Sequence, residues 1–257
     1  MKLIPWAKPK ITIQDRKILN NALRSEWISH GSYVEKFENK LKNFLKVKYA
    51  SSVSNGTAAL QLAFLSLGLK RGDEILCPGY CYMAAANIAT QMFLNIKFID
   101  VEKKSFCLNL NSIKKNVTKK TKAVVVVHTY GNTCEIDSIS KFLKKRKIFL
   151  IEDTAEALGS KYKNKYLGAF GDISTISFHS TKSITTGEGG AIVTNNKEIY
   201  EKAKLLRNHG VKNKRYYHNV PGFNFRISNI LCALGYSQLK RLNKIKKKRK
   251  KIFNYYL

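Results

Sequence analysis

The stretch from residue 177 to 190 carries the residue types that most clearly suggest chemistry. It reads Ser-Phe-His-Ser-Thr-Lys-Ser-Ile-Thr-Thr-Gly-Glu-Gly-Gly, so that Lys182 is surrounded by hydroxyls and small residues. Partial desolvation in such surroundings favours the neutral, nucleophilic form of an amine. The glycines let backbone approach a ligand closely. The alternative is a solvated surface lysine, as most lysines of this chain are expected to be.

Two acidic residues, Asp153 and Glu156, follow an apolar segment that is typical of a buried strand. Asp153 ends this strand, and ligands of parallel sheets bind at the carboxyl ends of the strands. An aspartate in this position can also be an ordinary helix N-cap or turn residue. The residues by themselves leave both interpretations open.

The third candidate is the segment Val-Ser-Asn-Gly-Thr-Ala-Ala-Leu at residues 53–60, which contains Gly56 and Thr57. A strand, a tight turn and a helix in this order direct unpaired backbone N–H groups and the positive helix end at an anion such as phosphate. An ordinary capped helix start has the same appearance. This pattern is therefore weak evidence when taken alone.

The elements that must position these residues alternate between short apolar strands and amphipathic helices. This alternation predicts βαβ units and a mostly parallel sheet. Strands are predicted at 50–54, 74–78, 96–100, 123–128, 148–153, 173–178 and 191–194, and helices at 57–67, 82–92, 136–145, 197–209 and 229–251. The run of four valines at 124–127 lacks alternation, as expected of a strand that is covered on both faces.

The charge of the chain is unusual, with 47 Lys+Arg against 17 Asp+Glu and a formal net charge of +30. Such a charge is compatible with nucleic-acid binding. The lysines, however, are spread over most of the predicted helices, and no nucleic-acid-binding motif accompanies them. We therefore expect lysine-rich helix surfaces and no nucleic-acid partner, with the dense basic run at 244–251 as part of the last helix.

Neither a membrane span nor a metal site is expected. No apolar run approaches the roughly 20 residues that a span requires, and the first six residues lack the apolar core of a signal peptide. The five cysteines are scattered, and no second Cys/His pair complements Cys77 and Cys81. We expect reduced, mostly buried thiols in a cytoplasmic protein.

Several motifs in the same order resemble the DegT/DnrJ/EryC1/StrS family of sugar aminotransferases, from about residue 4 to the end of the chain. They are Trp-Ile-Ser-His-Gly at 27–31, Ser-Asn-Gly-Thr-Ala-Ala-Leu at 54–60, Gly-Asp-Glu-Ile-Leu-Cys-Pro at 72–78, Glu-Asp-Thr-Ala-Glu-Ala at 152–157, the Lys182 segment, and Asn-Phe-Arg at 224–226. The resemblance implies the aspartate-aminotransferase-like (type I) fold: an α/β/α large domain of three layers with a mostly parallel seven-stranded sheet. It also implies pyridoxal 5'-phosphate as cofactor.

The resemblance assigns catalytic roles to Lys182 and Asp153, and a cofactor-binding role to Glu156. Lys182 matches the lysine that holds the cofactor as a Schiff base and moves a proton between the substrate carbon and the cofactor. Asp153 matches the carboxylate that pairs with the pyridine nitrogen. Glu156 matches a position near the ring hydroxyl where relatives have Gln, His or Glu, and the Glu form resembles the branch that contains perosamine synthases.

Five further positions match cofactor-binding residues of the family. Gly56, Thr57 and Ser177 match the phosphate-binding groups, and Tyr82 matches the aromatic residue that stacks on the ring, although a core tyrosine that opens a helix is an alternative. Asn224 matches a residue that reaches the cofactor phosphate of a partner subunit, which implies a homodimer with shared active sites. Arg226, His209 and His179 lie near these motifs and receive no role.

The implied reaction moves an amino group, with glutamate as the expected donor, to a keto-deoxy sugar on a nucleotide diphosphate, for cell-surface polysaccharide such as the O-antigen of lipopolysaccharide. Two alternatives are a PLP-dependent sugar dehydratase, whose relatives have His in place of Lys182, and a non-catalytic fragment with an interaction or regulatory role. We expect a PLP-binding large domain at 1–240, with an N-terminal arm at about 1–30. Residues 241–257 would begin a helix that leads to an absent C-terminal small domain, which leaves the activity of the chain alone open.

Overall fold

The strands of the protein are short and apolar. The computed structural model describes residues 7–212, 214 and 216–256. The first six residues lie outside this part, and with them the prediction that they are not a signal peptide. The strands are β1 (Tyr49–Val53), β2 (Glu74–Pro78), β3 (Asn95–Ile99), β4 (Thr121–Val127), β5 (Phe149–Asp153), β6 (Lys161–Tyr162), β7 (Lys165–Tyr166), β8 (Ile173–Ser177) and β9 (Gly190–Thr194). All seven predicted strands are confirmed, and the β6–β7 hairpin was not predicted.

Seven strands form one sheet in the order β1-β9-β8-β5-β4-β2-β3. The five strands from β8 to β3 run parallel, whereas β9 is antiparallel to both β1 and β8. The mostly parallel sheet of the sequence prediction is therefore confirmed. Because the parallel strands point the same way, β4, β5 and β8 end at one edge of the sheet, where ligands of this architecture bind.

Nine α-helices and one short 3-10 helix (Thr129–Gly131) are present among the described residues. The α-helices are α1 (Ile13–Arg24), α2 (Ser32–Leu45), α3 (Gly56–Ser66), α4 (Ala84–Gln91), α5 (Leu110–Asn116), α6 (Ile136–Lys145), α7 (Lys197–Arg207), α8 (Asn229–Lys240) and α9 (Leu242–Tyr256). The sequence prediction missed α1, α2 and α5. It also joined α8 and α9 into one helix, whereas the chain leaves the helical conformation at Arg241. No helix within the described ranges has both the length and the apolar character that a membrane crossing requires.

The helices cover both faces of the sheet and give three layers. Val125 of β4 packs with α3, α4 and α7 on one face. Its neighbours Val124 and Val126 pack with α5 and α6 on the other face, and the same face of β8 and β9 packs with α2 and α8. Strands that are buried on both faces explain why the valine run does not alternate with polar residues.

The helix starts near the sheet edge are defined by side-chain caps. Asn55, Asn196 and Ser228 each accept a backbone N–H in the first turn of α3, α7 and α8. At the N-terminus of α1, Thr12 and Asp15 form a reciprocal capping box. These caps satisfy N–H groups that would otherwise have no partner and fix where each helix begins.

Candidate active site

Asp153 stands at the carboxyl end of β5, as the sequence predicted. Its register partner on β4 is Val127, and the next residue, His128, donates its backbone N–H to the Asp153 carbonyl at 3.1 Å. The Asp153 carboxylate accepts the backbone N–H of Ala155 at 2.9 Å. Burial raises the pKa of this carboxyl, although this hydrogen bond and the charge of Lys182 act against the rise. A cation placed beside this carboxylate would therefore be strongly attracted.

Lys182 lies on the loop that connects β8 to β9 at the same edge of the sheet. Its backbone N–H donates to the His179 carbonyl at 2.9 Å, and both the N–H of Thr186 and the hydroxyl of Thr185 donate to the Phe178 carbonyl. This folded loop turns the Lys182 side chain towards Glu156, with 3.7 Å between Nζ and Oε1. The lysine side chain is 24% exposed, which makes it accessible and partly desolvated.

Glu156 connects this amine to a strained turn after β4. Its Oε2 atom accepts the backbone N–H of Tyr130 at 2.9 Å, and Tyr130 has a left-handed φ of 56°. The Tyr130 hydroxyl lies 2.8 Å from that of Tyr80, and Phe106 packs against both rings. We call Tyr80, Phe106 and Tyr130 the aromatic rim. The sequence analysis missed the rim because its members come from three separate loops.

The predicted phosphate turn and Ser177 meet in the structure. Gly56 is the first residue of α3, and the N-cap Asn55 accepts the N–H of Ala58 at 2.8 Å. A Cβ atom on Gly56 would lie 3.0 Å from Cβ and 3.2 Å from Oγ of Ser177, closer than side chains normally pack. The turn, the exposed Thr57 and the Ser177 hydroxyl thus form a cradle at the start of a helix. Backbone N–H groups in such a position suit a phosphate.

Tyr82 lies on the loop before α4 and is 86% exposed, so the alternative of a core tyrosine is wrong. The helix begins two residues later, at Ala84. An exposed ring on this loop is free to cover a ligand. It makes no ring contact with another described aromatic residue in the structure, which is compatible with a stacking role towards a bound molecule.

Asn224 lies on a segment beside β1, where the Ser54 N–H donates to the Phe225 carbonyl at 2.8 Å. The Asn224 side chain is exposed and its Oδ1 accepts from Nε of Arg226 at 3.0 Å.

The structure brings six of the eight predicted site residues together. Lys182, Asp153 and Glu156 form one group, and Gly56, Thr57 and Ser177 form the adjoining cradle. The structure gives Tyr82 and Asn224 exposed positions without contact to that group.

A buried ionisable pair lies directly behind Asp153 and was not predicted. The Glu152 carboxylate accepts from Nε2 of His128 at 2.9 Å, and from the backbone N–H groups of Gly168, Phe170 and Gly171 at 2.9, 2.7 and 2.6 Å. Burial raises the pKa of this carboxyl, but the hydrogen bonds from His128 and the glycine amides outweigh it and hold the pKa below its ordinary value. The pair fixes the ends of β4 and β5 side by side.

The cysteines take no part in this site. All five thiols are free, and burial raises the pKa of Cys77 to about 12 and that of Cys81 to about 11. Both therefore stay in the unreactive thiol form at neutral pH. Within the described ranges, no cluster of three or more His, Cys, Asp or Glu side chains has a geometry for a metal ion.

Comparison with known proteins gives a consistent result. The model of the DegT/DnrJ/EryC1/StrS aminotransferase family matches residues 9–257. GDP-perosamine synthase of Escherichia coli O157:H7 is 42% identical over all of this chain and 71% of its own length, and that of Vibrio cholerae is 41% identical over 99% and 70%. The chain thus spans about 70% of the length of these relatives.

Solved structures agree with the sequence relatives. Helicobacter pylori PseC, an aminotransferase involved in the biosynthesis of pseudaminic acid, superposes with a TM-score of 0.89 at 34% identity, over 94% of this chain and 66% of that one. The E. coli GDP-4-keto-6-deoxy-D-mannose-3-dehydratase with bound hydrated PLP gives 0.94 at 31% identity, over 100% and 72%. Both have the fold that the sequence predicted.

Proposed function

Because the chain belongs to the DegT/DnrJ/EryC1/StrS aminotransferase family, we propose that it transfers an amino group from glutamate to a keto-deoxy sugar carried on a nucleotide diphosphate. The transfer converts the sugar carbonyl to an amine and glutamate to its 2-oxo acid. One observation carries the proposal: Lys182, Asp153 and Glu156 converge at the carboxyl edge of the sheet, next to the cradle of Gly56 and Ser177.

The residues of the site fit pyridoxal phosphate. The cradle lacks a Cβ atom at Gly56, where a phosphate must approach backbone N–H groups. The Asp153 carboxylate, whose pKa burial raises, gains most from a cationic partner such as a protonated pyridine nitrogen. Tyr82 is exposed and available to stack on a ring. When bound, the cofactor supplies an electron sink for the carbon next to the transferred nitrogen.

Three side chains, those of Lys182, Asp153 and Glu156, have separate roles in this reaction. Lys182 Nζ would hold the cofactor covalently and would move the proton to and from the reacting carbon, because it is the amine that the loop directs into the site. Asp153 would pair with the ring nitrogen of the cofactor and favour its protonated form. Glu156 holds the Tyr130 turn and lies beside Nζ, so that it can orient the amine between proton transfers.

The substrate class follows the relatives. The relatives include GDP-perosamine synthases and, at 38% identity, UDP-4-amino-4,6-dideoxy-N-acetyl-beta-L-altrosamine transaminase of Campylobacter jejuni. We place this chain with the perosamine synthases, in the synthesis of cell-surface polysaccharide in the cytoplasm. The net charge of +30 attracts glutamate and the nucleotide sugar, which are both anionic.

The dehydratase alternative has structural support but lacks the required residue. The E. coli dehydratase superposes over the whole chain. The family resemblance implies, however, that such dehydratases have His where this chain has Lys182. An amine at this position favours transamination over dehydration.

The proposal also includes a homodimer, since the exposed Asn224 would reach the cofactor phosphate of a second copy. The large domain would comprise residues 1–240, followed by a connecting helix from 241.

The test uses the purified chain with added pyridoxal phosphate. Borohydride reduction followed by peptide mass spectrometry should give a covalent adduct on Lys182, and the adduct should disappear in Lys182→Ala. Lys104→Ala, which removes an exposed lysine on another loop, is the matched control and should retain it. In a separate sample that has not been reduced, addition of glutamate should change the cofactor absorbance and release one equivalent of 2-oxo acid. An adduct without exchange of the amino group would contradict the proposal.

A further inference from the structure

Residues 154–160 form a turn after β5, which we call the β5 turn. At its start, both the backbone N–H and the hydroxyl of Thr154 donate to the Thr175 carbonyl of β8, at 2.9 and 2.7 Å. Glu156 is exposed on this turn, and its carboxylate lies beside Lys182. Because Glu156 reaches Lys182 from the backbone of the turn, a contact that fixes this backbone also fixes the distance between the two charged groups.

The end of the β5 turn is held by a lysine from another element. Gly159 is buried and left-handed, with a φ of 87°, and no described backbone N–H donates to its carbonyl. The ammonium of Lys246, on α9, donates to this carbonyl instead. A buried carbonyl without a donor costs about as much free energy as a lost hydrogen bond. Lys246 therefore supplies a partner that the backbone of the turn does not provide.

The Lys246 side chain fits closely against the β5 turn. A Cβ atom on Gly159 would lie 3.0 Å from Cδ and 3.3 Å from Nζ of Lys246, closer than side chains normally pack. Nζ also lies 5.8 Å from the centre of the Tyr166 ring, in the hairpin that follows the turn. Burial, followed by the charge of Lys161, lowers the pKa of Lys246. The amine is thus partly withdrawn from water, unlike a lysine on an open surface.

Lys246 also marks the place where α9 leaves the rest of the protein. The start of the helix is docked, since Leu242 is buried and Ile245 is half-buried. Every residue from 247 to 256 is exposed. Within the described part of α9, Lys246 is therefore the last side chain that the rest of the protein shelters. It joins this helix to the turn that carries Glu156.

We propose that Lys246 is a positioning residue of the active site. By holding the Gly159 carbonyl it fixes the β5 turn, and the turn then keeps Glu156 in place. Glu156 contacts the Lys182 amine and the Tyr130 N–H. Lys246 itself forms no hydrogen bond or ion pair with these two groups, so it acts through the backbone of the turn. The effect of this positioning on catalysis rests on the proposed function, whereas the positioning itself does not.

The Tyr130 N–H reports on the position of Glu156, which is its acceptor. In the cofactor-free chain, Lys246→Met keeps most of the side-chain length and removes the donor. It should speed hydrogen exchange of the Tyr130 amide about tenfold, the effect of roughly one hydrogen bond. Lys246→Arg keeps a donor and should restore slow exchange. Lys247→Met removes the same charge from an exposed neighbour on α9 and should change the rate less than about twofold.

The amides of β9 serve as the reference for global stability in this experiment. Faster exchange in Lys246→Met that is confined to Tyr130 and the β5 turn supports the proposal. An unchanged exchange rate at Tyr130 would overturn it. An equal increase at the β9 amides would also overturn it, since the substitution would then loosen the whole fold.

A second readout connects this positioning to the proposed function. In the protein loaded with pyridoxal phosphate, Lys246→Met should release 2-oxo acid from glutamate roughly tenfold more slowly, because the amine of Lys182 is less well oriented. Lys246→Arg should restore the rate, and a wild-type rate in Lys246→Met would overturn the link to catalysis. The two proposals fail separately. Without a Lys182 adduct in the wild type the proposed function is rejected, yet faster exchange at Tyr130 in Lys246→Met would still support the positioning.

Discussion

The Nζ atom of Lys182 and the Oε1 atom of Glu156 lie 3.7 Å apart, although 26 positions separate them along the chain. The other oxygen of the same carboxylate accepts the backbone N–H of Tyr130. Glu156 therefore joins two loops at the edge of the sheet, one after β4 and one after β8. One carboxylate oxygen lies near the Lys182 amine and the other accepts the Tyr130 N–H, so different substitutions can distinguish these two contacts.

Glu156→Gln and Glu156→Ala should differ in stability. Glutamine keeps an acceptor for the Tyr130 N–H, whereas alanine leaves the left-handed turn at Tyr130 without support. We expect Glu156→Ala to be about 1 kcal/mol less stable than Glu156→Gln in urea unfolding. Both variants lose the charge beside Lys182, so the comparison isolates the turn. Equal stabilities would show that the hydrogen bond to Tyr130 contributes nothing.

Gly56→Ala should weaken cofactor binding more than it destabilises the fold. The added methyl would stand 3.0 Å from Ser177 Cβ and fill the cradle. We expect about 1 kcal/mol of destabilisation and a Kd for pyridoxal phosphate at least tenfold higher, measured by absorbance titration. The control is Gly72→Ala, which strains a left-handed residue (φ 87°) in open space. Gly72 precedes the amino end of β2, whereas the cradle lies at the carboxyl edge of the sheet. The control variant should lose stability and keep its cofactor affinity.

The sequence predicted the sheet better than the helices that cover it. The valine run at 124–127 favours a buried strand, because β-branched residues are enriched in strands and the absence of alternation is typical of a strand that is covered on both faces. The helices α1 and α2 were missed although Thr12 and Asp15 form a capping box and Phe37, Leu41 and Leu45 repeat every four residues. In so lysine-rich a chain, the charged positions between these residues obscured the apolar stripe.

The site was predicted where its residues follow one another along a strand or a loop. Asp153 and Glu156 lie three positions apart, and Lys182 stands out by the small residues around it. The aromatic rim joins residues from three separate loops, and the His128–Glu152 pair joins the residue after β4 to a residue within β5. No local pattern reveals such contacts, because they depend on how the crossovers bring distant segments to one edge of the sheet.

Glu152→Gln should destabilise the protein strongly without touching the substrate side. An amide in place of the carboxylate would direct NH₂ at a backbone N–H, since all the groups around Glu152 donate. We expect a loss of about 3 kcal/mol in urea unfolding at pH 7. Because the pKa of Glu152 is lowered in the folded protein, the wild-type advantage is present above the unfolded pKa and falls as pH decreases through the folded pKa.

The control for this variant is Glu201→Gln, at an exposed position on α7 whose nearest cation, Lys204, lies 4.0 Å away. It removes the same charge and should change stability by less than about 0.5 kcal/mol. A loss of similar size in both variants would mean that net charge, and not the buried hydrogen bonds, governs the effect.

Asp153→Asn should stabilise the cofactor-free protein and impair the cofactor complex. Burial raises the pKa of the Asp153 carboxyl, so its charged form is disfavoured in the folded state and lowers stability at pH 7. Asparagine removes that charge and keeps an oxygen for the Ala155 N–H. Without cofactor, the variant should therefore have a higher Tm at pH 7. The difference should shrink as pH falls through the raised pKa, because the wild-type carboxyl then becomes neutral too.

With pyridoxal phosphate, the order reverses, since the variant cannot pair with a protonated ring nitrogen. Its Kd should rise about 10- to 100-fold, the value of one charge-assisted hydrogen bond. Asp100→Asn, at an exposed position after β3, should change neither quantity. Thermal melts from pH 4 to 8 with and without cofactor measure both effects. If the cofactor-free Asp153→Asn protein has a lower Tm than the wild type at pH 7, the charged carboxylate stabilises the fold. That result would contradict the prediction.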